Sequence, residues 1–156
     1  MCKRIIAIIL LITAVYAAGT ALSEDYKVFI LCNPESHVNV RRSPKNGSEK
    51  TGWVMFADAV LTDGKTKNGY LHVIGITEDG EGWIKAGYTV KDQPVKVKAW
   101  AAVSASGRVM SYRNAGKNRI GWVPLLAEMK VYALSDEWAV TSRGYIRRKY
   151  LEVWFE

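Results

Sequence analysis

Histidine, cysteine and proline are scarce in this chain, with two, two and four copies among 156 residues. A catalytic thiol needs a base beside it, and a zinc peptidase needs His and carboxylate ligands at tetrahedral spacing. His37 and His72 stand in different segments with no Cys or His partner in a ligand spacing, and are read as ordinary surface histidines. No phosphate-binding glycine loop is present, nor any nucleophile–base pair. The sequence is therefore read as non-catalytic, with no metal and no cofactor. Helical periodicity is also missing. Only Pro124–Met129 has the composition for a helical turn, and it is short.

One long apolar run exists, at the N-terminus. Lys3 and Arg4 precede the apolar Ile5–Val15, and Ala17, Ala18, Gly19, Ala21 and Ser23 supply small residues. This is the plan of a secretory signal peptide, predicted over 1–23 with a cut before Glu24. A cut after Ala18 is the nearest competitor. An uncleaved anchor would need the whole of Ile5–Leu22, 18 weakly apolar residues near the lower limit for a span. Cys2 lies before the apolar stretch, the wrong side for a lipid-modified cysteine. Secretion, or residence in the cell envelope, is the expectation, with membrane attachment only if the leader stays uncut. Cleavage would leave Cys32 alone, so no intramolecular disulfide forms and the thiol is expected to be a small buried hydrophobe in a strand.

Charge is uneven along the rest. Residues 24–92 carry 9 Lys and Arg against 10 Asp and Glu, while 93–156 carry 11 against 5, a net of +6. The second half attracts polyanions and the first does not. Export makes nucleic acid an unexpected partner.

What the chain has in plenty is a repeated tripeptide. Gly52-Trp53-Val54, Gly82-Trp83-Ile84, Gly121-Trp122-Val123 and Gly144-Tyr145-Ile146 form two pairs, spaced 30 and 23 residues apart. Such self-similarity predicts one small unit, duplicated. Asn46-Gly47, Asp63-Gly64, Asn68-Gly69 and Asp79-Gly80 are dipeptides that tolerate the positive φ of tight β-turns. Between and after them lie runs rich in Val, Ile, Tyr and Trp: Lys50–Phe56, Tyr70–Ile76, Glu81–Ala86, Val95–Val103, Arg108–Tyr112, Arg119–Val123, Lys130–Leu134, Glu137–Thr141 and Arg143–Arg147. The chain is all-β. Lys91-Asp92-Gln93-Pro94 is the expected linker, giving units at 24–92 and 93–156. Units this small bury little surface, and aromatics bury the most per residue. Trp53, Trp83, Trp122 and Trp138 are therefore expected to be at least partly core. Within the tripeptide, glycine admits a kink or a close backbone, and the two following side chains point to opposite faces.

These motifs, in this order, resemble the bacterial SH3-like domain, a small β-barrel often found in tandem on exported proteins. Val38-Asn39-Val40-Arg41 matches the family's opening, followed by Ser43-Pro44. Tyr70-Leu71-His72-Val73, Gly82-Trp83-Ile84-Lys85 and Gly87-Tyr88-Thr89-Val90 match its later strands. In the more divergent second copy, Met110-Ser111-Tyr112-Arg113 stands at the opening, Glu137-Trp138-Ala139-Val140 follows, and Gly144-Tyr145-Ile146 with Tyr150-Leu151 closes. The resemblance covers nearly all of 26–153 and implies two small SH3-like β-barrels in tandem after the signal peptide. It also implies binding, commonly to cell-wall peptidoglycan, often beside a wall hydrolase. A cysteine peptidase of the NlpC type would need a far longer domain with Cys and two His in place.

Three readings of the ligand stay open. Aromatic grooves built from Tyr70, Trp83, Tyr88, Tyr112, Trp138, Tyr145 and Tyr150 could hold wall peptide or glycan, since ring faces stack and Tyr hydroxyls give direction. A basic face made of Arg113, Arg119, Arg143, Arg147, Arg148 and Lys149 could bind teichoic acid or anionic lipid through phosphates. An exposed sheet edge could accept a strand from an extracellular protein, making the chain an adaptor or inhibitor.

Overall fold

The computed structural model describes residues 27–76 and 80–156. The leader, its cut before Glu24 and Asp79 of the last turn dipeptide lie outside the described residues. The described chain is all-β. Its first half holds β1 (Lys27–Ile30), β2 (His37–Arg41), β3 (Lys50–Met55), β4 (Ala59–Leu61), β5 (Thr66–Lys67), β6 (Tyr70–Ile74), β7 (Glu81–Lys85) and β8 (Thr89–Val90). The second holds β9 (Val95–Val103), β10 (Val109–Asn114), β11 (Lys117–Val123), β12 (Glu128–Leu134), β13 (Trp138–Thr141), β14 (Gly144–Arg147) and β15 (Leu151–Phe155). Pro124–Met129 forms no helix. Leu126 turns the chain at φ 59° and β12 begins at Glu128.

Each half is one antiparallel sheet. The first runs β3-β2-β7-β6-β4-β1-β8, with β5 added on β6; the second runs β11-β10-β14-β13-β12-β9-β15. The two orders superimpose strand for strand, and a 3-10 turn precedes the last strand of each, at Ala86–Tyr88 and Arg148–Tyr150. The duplication visible in the tripeptides is thus a duplication of topology. β8 ends at Val90 and β9 begins at Val95, with the chain crossing from one sheet to the other between them.

Pairing corrects one alignment. Val38, Asn39 and Val40 face Val54, Trp53 and Gly52, whereas Val109, Met110 and Ser111 face Val123, Trp122 and Gly121. Arg41 pairs with Trp83, and Tyr112 with Tyr145. The opening of the second copy is therefore Val109–Tyr112, one residue earlier than the motif placed at Met110–Arg113. Side-chain parity explains the shift: Val109 and Ser111 are buried as Val38 and Val40 are, and a one-residue slip would turn them outward.

Parity also corrects the tryptophans. In all four tripeptides the branched residue faces the core: Val54, Ile84, Val123 and Ile146 are no more than 3% exposed. The aromatic must then point out of the sheet. Trp53 and Trp122, on the edge strands β3 and β11, are 67% and 56% exposed, not core. Trp83 is half-buried against the His72 ring at 4.8 Å. His72 is in turn a buried residue rather than a surface one, held by the Asp63 carboxylate at 3.0 Å on Nδ1. Cys32 is buried as expected, though in the bend after β1 and not in a strand.

Each sheet wraps an aliphatic core: Ile30, Val40, Val73 and Ile84 among others in the first, Ala101, Val103, Val131 and Ile146 in the second. A third apolar cluster lies between them, made of Leu31, Ala133, Trp138, Val140 and Tyr145 with Phe56, Tyr88, Val90 and Tyr112 against it. The Tyr145 hydroxyl donates to the Leu31 carbonyl at 3.0 Å, and the Ala115 amide to the Gly87 carbonyl at 2.8 Å. The Asp136 amide donates to the Asp92 carboxylate at 2.6 Å.

Candidate binding site

A cleft of about 380 Å³ opens where the sheets meet. Its floor comes from the first unit: the bend Cys32–Asn33, then Val38, Asn39 and Arg41 of β2, Lys85 at the end of β7 and Tyr88 of the 3-10 turn. Its far wall comes from the second: Arg113 of β10, Val140 and Thr141 of β13, Gly144 and Tyr145 of β14. The tight pairing of β10 with β14 brings this wall together. Gly144 sits at φ 99°, and a Cβ there would lie 2.5 Å from the Tyr112 carbonyl oxygen, so no other residue fits without a shift.

The lining contains Arg41, Lys85 and Arg113 and no carboxylate. Arg41 Nη1 donates to the Ser48 carbonyl at 2.6 Å, which fixes the guanidinium in place. His37 also lines the cleft, and three further groups of the wall, Cys32, Tyr88 and Tyr145, are held toward their neutral forms. Burial, with a contribution from the Asp58 carboxylate, pushes the Cys32 thiol up to about 11, so it is no nucleophile there. Burial also raises Tyr88 and, further, Tyr145, each helped by Cys32. The cleft therefore presents fixed positive charge, two tyrosine rings and the Asn39 amide. Arrangements of this kind bind carboxylates or other oxyanions through charge-assisted hydrogen bonds.

Of the groove candidates, Tyr88 and Tyr145 meet here, joined by Arg113 from the basic set. Tyr112, Tyr150 and Arg147 line a second cleft of about 370 Å³ on the second unit. Trp138 is buried between the units, and Tyr70 is buried with its hydroxyl on Asn46 Oδ1 at 2.9 Å. Trp83 stands apart on His72. Arg119 and Arg143 are exposed and line neither cleft; Arg148 and Lys149 sit together beside a shallow depression with Phe155. Reasoning from sequence missed Arg41 and Lys85, because Arg41 has only Arg42 beside it and Lys85 stands alone, so neither marks a basic cluster. The symmetric counterpart of Lys85 is Arg147, since β6 pairs Tyr70 with Lys85 as β13 pairs Trp138 with Arg147. Among the described residues no group of three or more His, Cys, Asp or Glu could hold a metal ion.

No protein-family model and no curated protein matches the chain. Among solved structures, NlpC2 from Trichomonas vaginalis is similar over 81% of this chain and 47% of its own, at 16% identity and a TM-score of 0.35. NlpC1 from the same organism is similar over 81% of this chain and 45% of its own, at 17% identity and a TM-score of 0.35. The chain thus spans less than half the length of either.

Proposed function

We propose that this is a non-catalytic, exported binding module that holds a carboxylate-bearing segment of cell-wall peptide in the cleft between its two sheets. One observation carries the reading: Arg41, Lys85 and Arg113 line the cleft beside Tyr88 and Tyr145, with no carboxylate to neutralise them. Wall peptides are extended and bear free carboxylates, which suit guanidinium forks, and tyrosine rings cover the apolar stretches between. The sequence resemblance to SH3-like wall-binding domains supports the same ligand class.

Co-sedimentation with purified sacculi stripped of teichoic acid tests it. The protein should be retained, and Lys85→Glu combined with Arg113→Glu should lower retention by about tenfold or more, as expected when charge-assisted bonds become repulsive. Both side chains reach solvent, so the double variant should fold. Retention equal to that of the unaltered protein would sink this reading.

A further inference from the structure

The second unit repeats the cleft of the first, and there it faces solvent. Strand pairing equates Val38 with Val109, Asn39 with Met110, Arg41 with Tyr112 and Lys85 with Arg147. The 3-10 turns equate Tyr88 with Tyr150: the Leu31 amide donates to the Tyr88 carbonyl at 2.8 Å, and the Ser104 amide to the Tyr150 carbonyl at 3.0 Å. Val109, Met110, Tyr112, Arg147 and Tyr150 all line the second cleft. Two replacements decide what it can accept. Leu31 and Gly87, which the second unit covers, correspond to Ser104 and Lys149, both exposed. A further copy of the domain would have to bury a lysine and a serine where the first interface buries a leucine and a glycine. The cleft is built for something soluble and charged.

The protein's own cations already cover Trp122 and Tyr150 of the cleft's lining, and Trp138 beside it. The Arg108 guanidinium lies 4.6 Å over Trp122, Arg147 lies 4.9 Å over Trp138, and Lys149 Nζ lies 5.0 Å over Tyr150. Tyr112 and Trp138 meet at right angles, with ring centres 5.8 Å apart. A ligand stacking on these rings, whether a base or a sugar, would have to displace a cation first. The rings act instead as seats for two guanidinium groups, Arg108 on Trp122 and Arg147 on Trp138. The nearest competitor is Glu137, exposed and 3.5 Å from Arg147. A planar carboxylate is satisfied by one fork. Two forks on one cleft, with Ser106 and two tyrosines alongside, suit a tetrahedral oxyanion with three acceptor oxygens.

We propose that the cleft bounded by Arg108, Trp122, Arg147, Tyr112 and Tyr150 is a second site, separate from the inter-sheet cleft, that binds a phosphate ester. Its key pair, Arg108 and Trp122, lies outside both residue sets that the sequence suggested.

The test is a titration of the protein with inorganic phosphate, glycerol phosphate and acetate at matched ionic strength, read at the tryptophan indole signals, beside flotation with phosphatidylglycerol and phosphatidylcholine vesicles. Both phosphates should shift the Trp122 signal, and acetate should not. Arg108→Lys, which keeps the charge and loses the fork, should weaken binding about tenfold. Trp122→Leu, which keeps every charge and frees the guanidinium, should weaken it several-fold. Lys96→Ala, an exposed cation outside the cleft, should leave it unchanged. Tighter binding to phosphatidylglycerol vesicles than to glycerol phosphate would assign the ester to a lipid headgroup. Equal or weaker binding would assign it to a free or polymer-borne ester. The proposal is overturned if acetate binds as well as phosphate, if no phosphate binds, or if Lys96→Ala costs as much as Arg108→Lys. The Lys85→Glu, Arg113→Glu variant should still bind phosphate, which keeps this site distinguishable from the wall-peptide cleft.

Discussion

At the scale of single residues, Tyr145 bears most on the junction. Its ring is 5% exposed, and its hydroxyl is the one side-chain donor to the Leu31 carbonyl found among the described residues. Tyr145→Phe leaves that buried carbonyl without its partner, which should cost about 1–3 kcal/mol. The pH dependence follows from the same burial, which holds the phenol above its ordinary value of 10.0. A raised acid resists ionisation while folded and ionises freely when unfolded. The stability it contributes is therefore complete below about pH 10 and is lost as pH rises beyond it. Denaturant melts between pH 7 and 11.5 should show the protein weakening above pH 10, and Tyr145→Phe weakening less over the same interval. Parallel curves would mean that another group sets the alkaline limit. Nothing in the sequence distinguished Tyr145 from Trp122 or Trp53, because all follow a motif glycine and all point out of their sheet. What differs is what lies outside, and only the packing of one unit on the other decides that.

Among the elements, the same motif yields glycines of opposite sensitivity. Gly144 has φ 99°, and an added Cβ would meet the Tyr112 carbonyl oxygen at 2.5 Å and Ile120 Cδ1 at 2.7 Å. Gly121, at the matching place on the edge strand β11, has nothing within 4 Å of such a Cβ. Gly144→Ala should lose about 2 kcal/mol or more, from backbone strain and the clash together. Gly121→Ala should change stability by less than about 0.5 kcal/mol, because alanine is the better strand residue where space allows. Thermal melts of the two variants check this, and equal effects would mean the close β10–β14 approach is not what the glycine serves. The strands themselves were largely legible: Val95–Val103 fills the whole of its predicted run, and most others end within a residue or two of theirs. β4 was not, because Ala59–Leu61 is too short to show a period. The opening strand of the second copy was misregistered by one residue because Ser111 replaces an apolar residue on the buried face, and its hydroxyl answers the Gly121 carbonyl at 3.1 Å instead.

For the whole molecule, the arrangement makes two small units stable by sharing a core. Each alone has the size at which burial is marginal, and the cluster around Leu31, Trp138, Val140 and Tyr145 adds what neither encloses by itself. No sequence signal marked this cluster, since a leucine buried between units has the same composition as one buried within. The symmetry nonetheless supplies its own control, because the second unit carries at the matching places the residues that face water. Leu31→Ser with Gly87→Lys gives the first unit the surface that the second already has in Ser104 and Lys149. The unaltered protein should unfold in one calorimetric transition, with calorimetric and van't Hoff enthalpies agreeing. The double variant should lose about 2–5 kcal/mol at Leu31 alone, as buried leucines do on truncation. It should then melt as two overlapping transitions. Because the inter-sheet cleft takes its walls from both units and the second cleft from one, retention on sacculi should fall while phosphate binding persists. A variant that still melts as one unit would show that the linker and the Asp92–Asp136 contact suffice to couple the sheets, and that the apolar cluster is not what joins them.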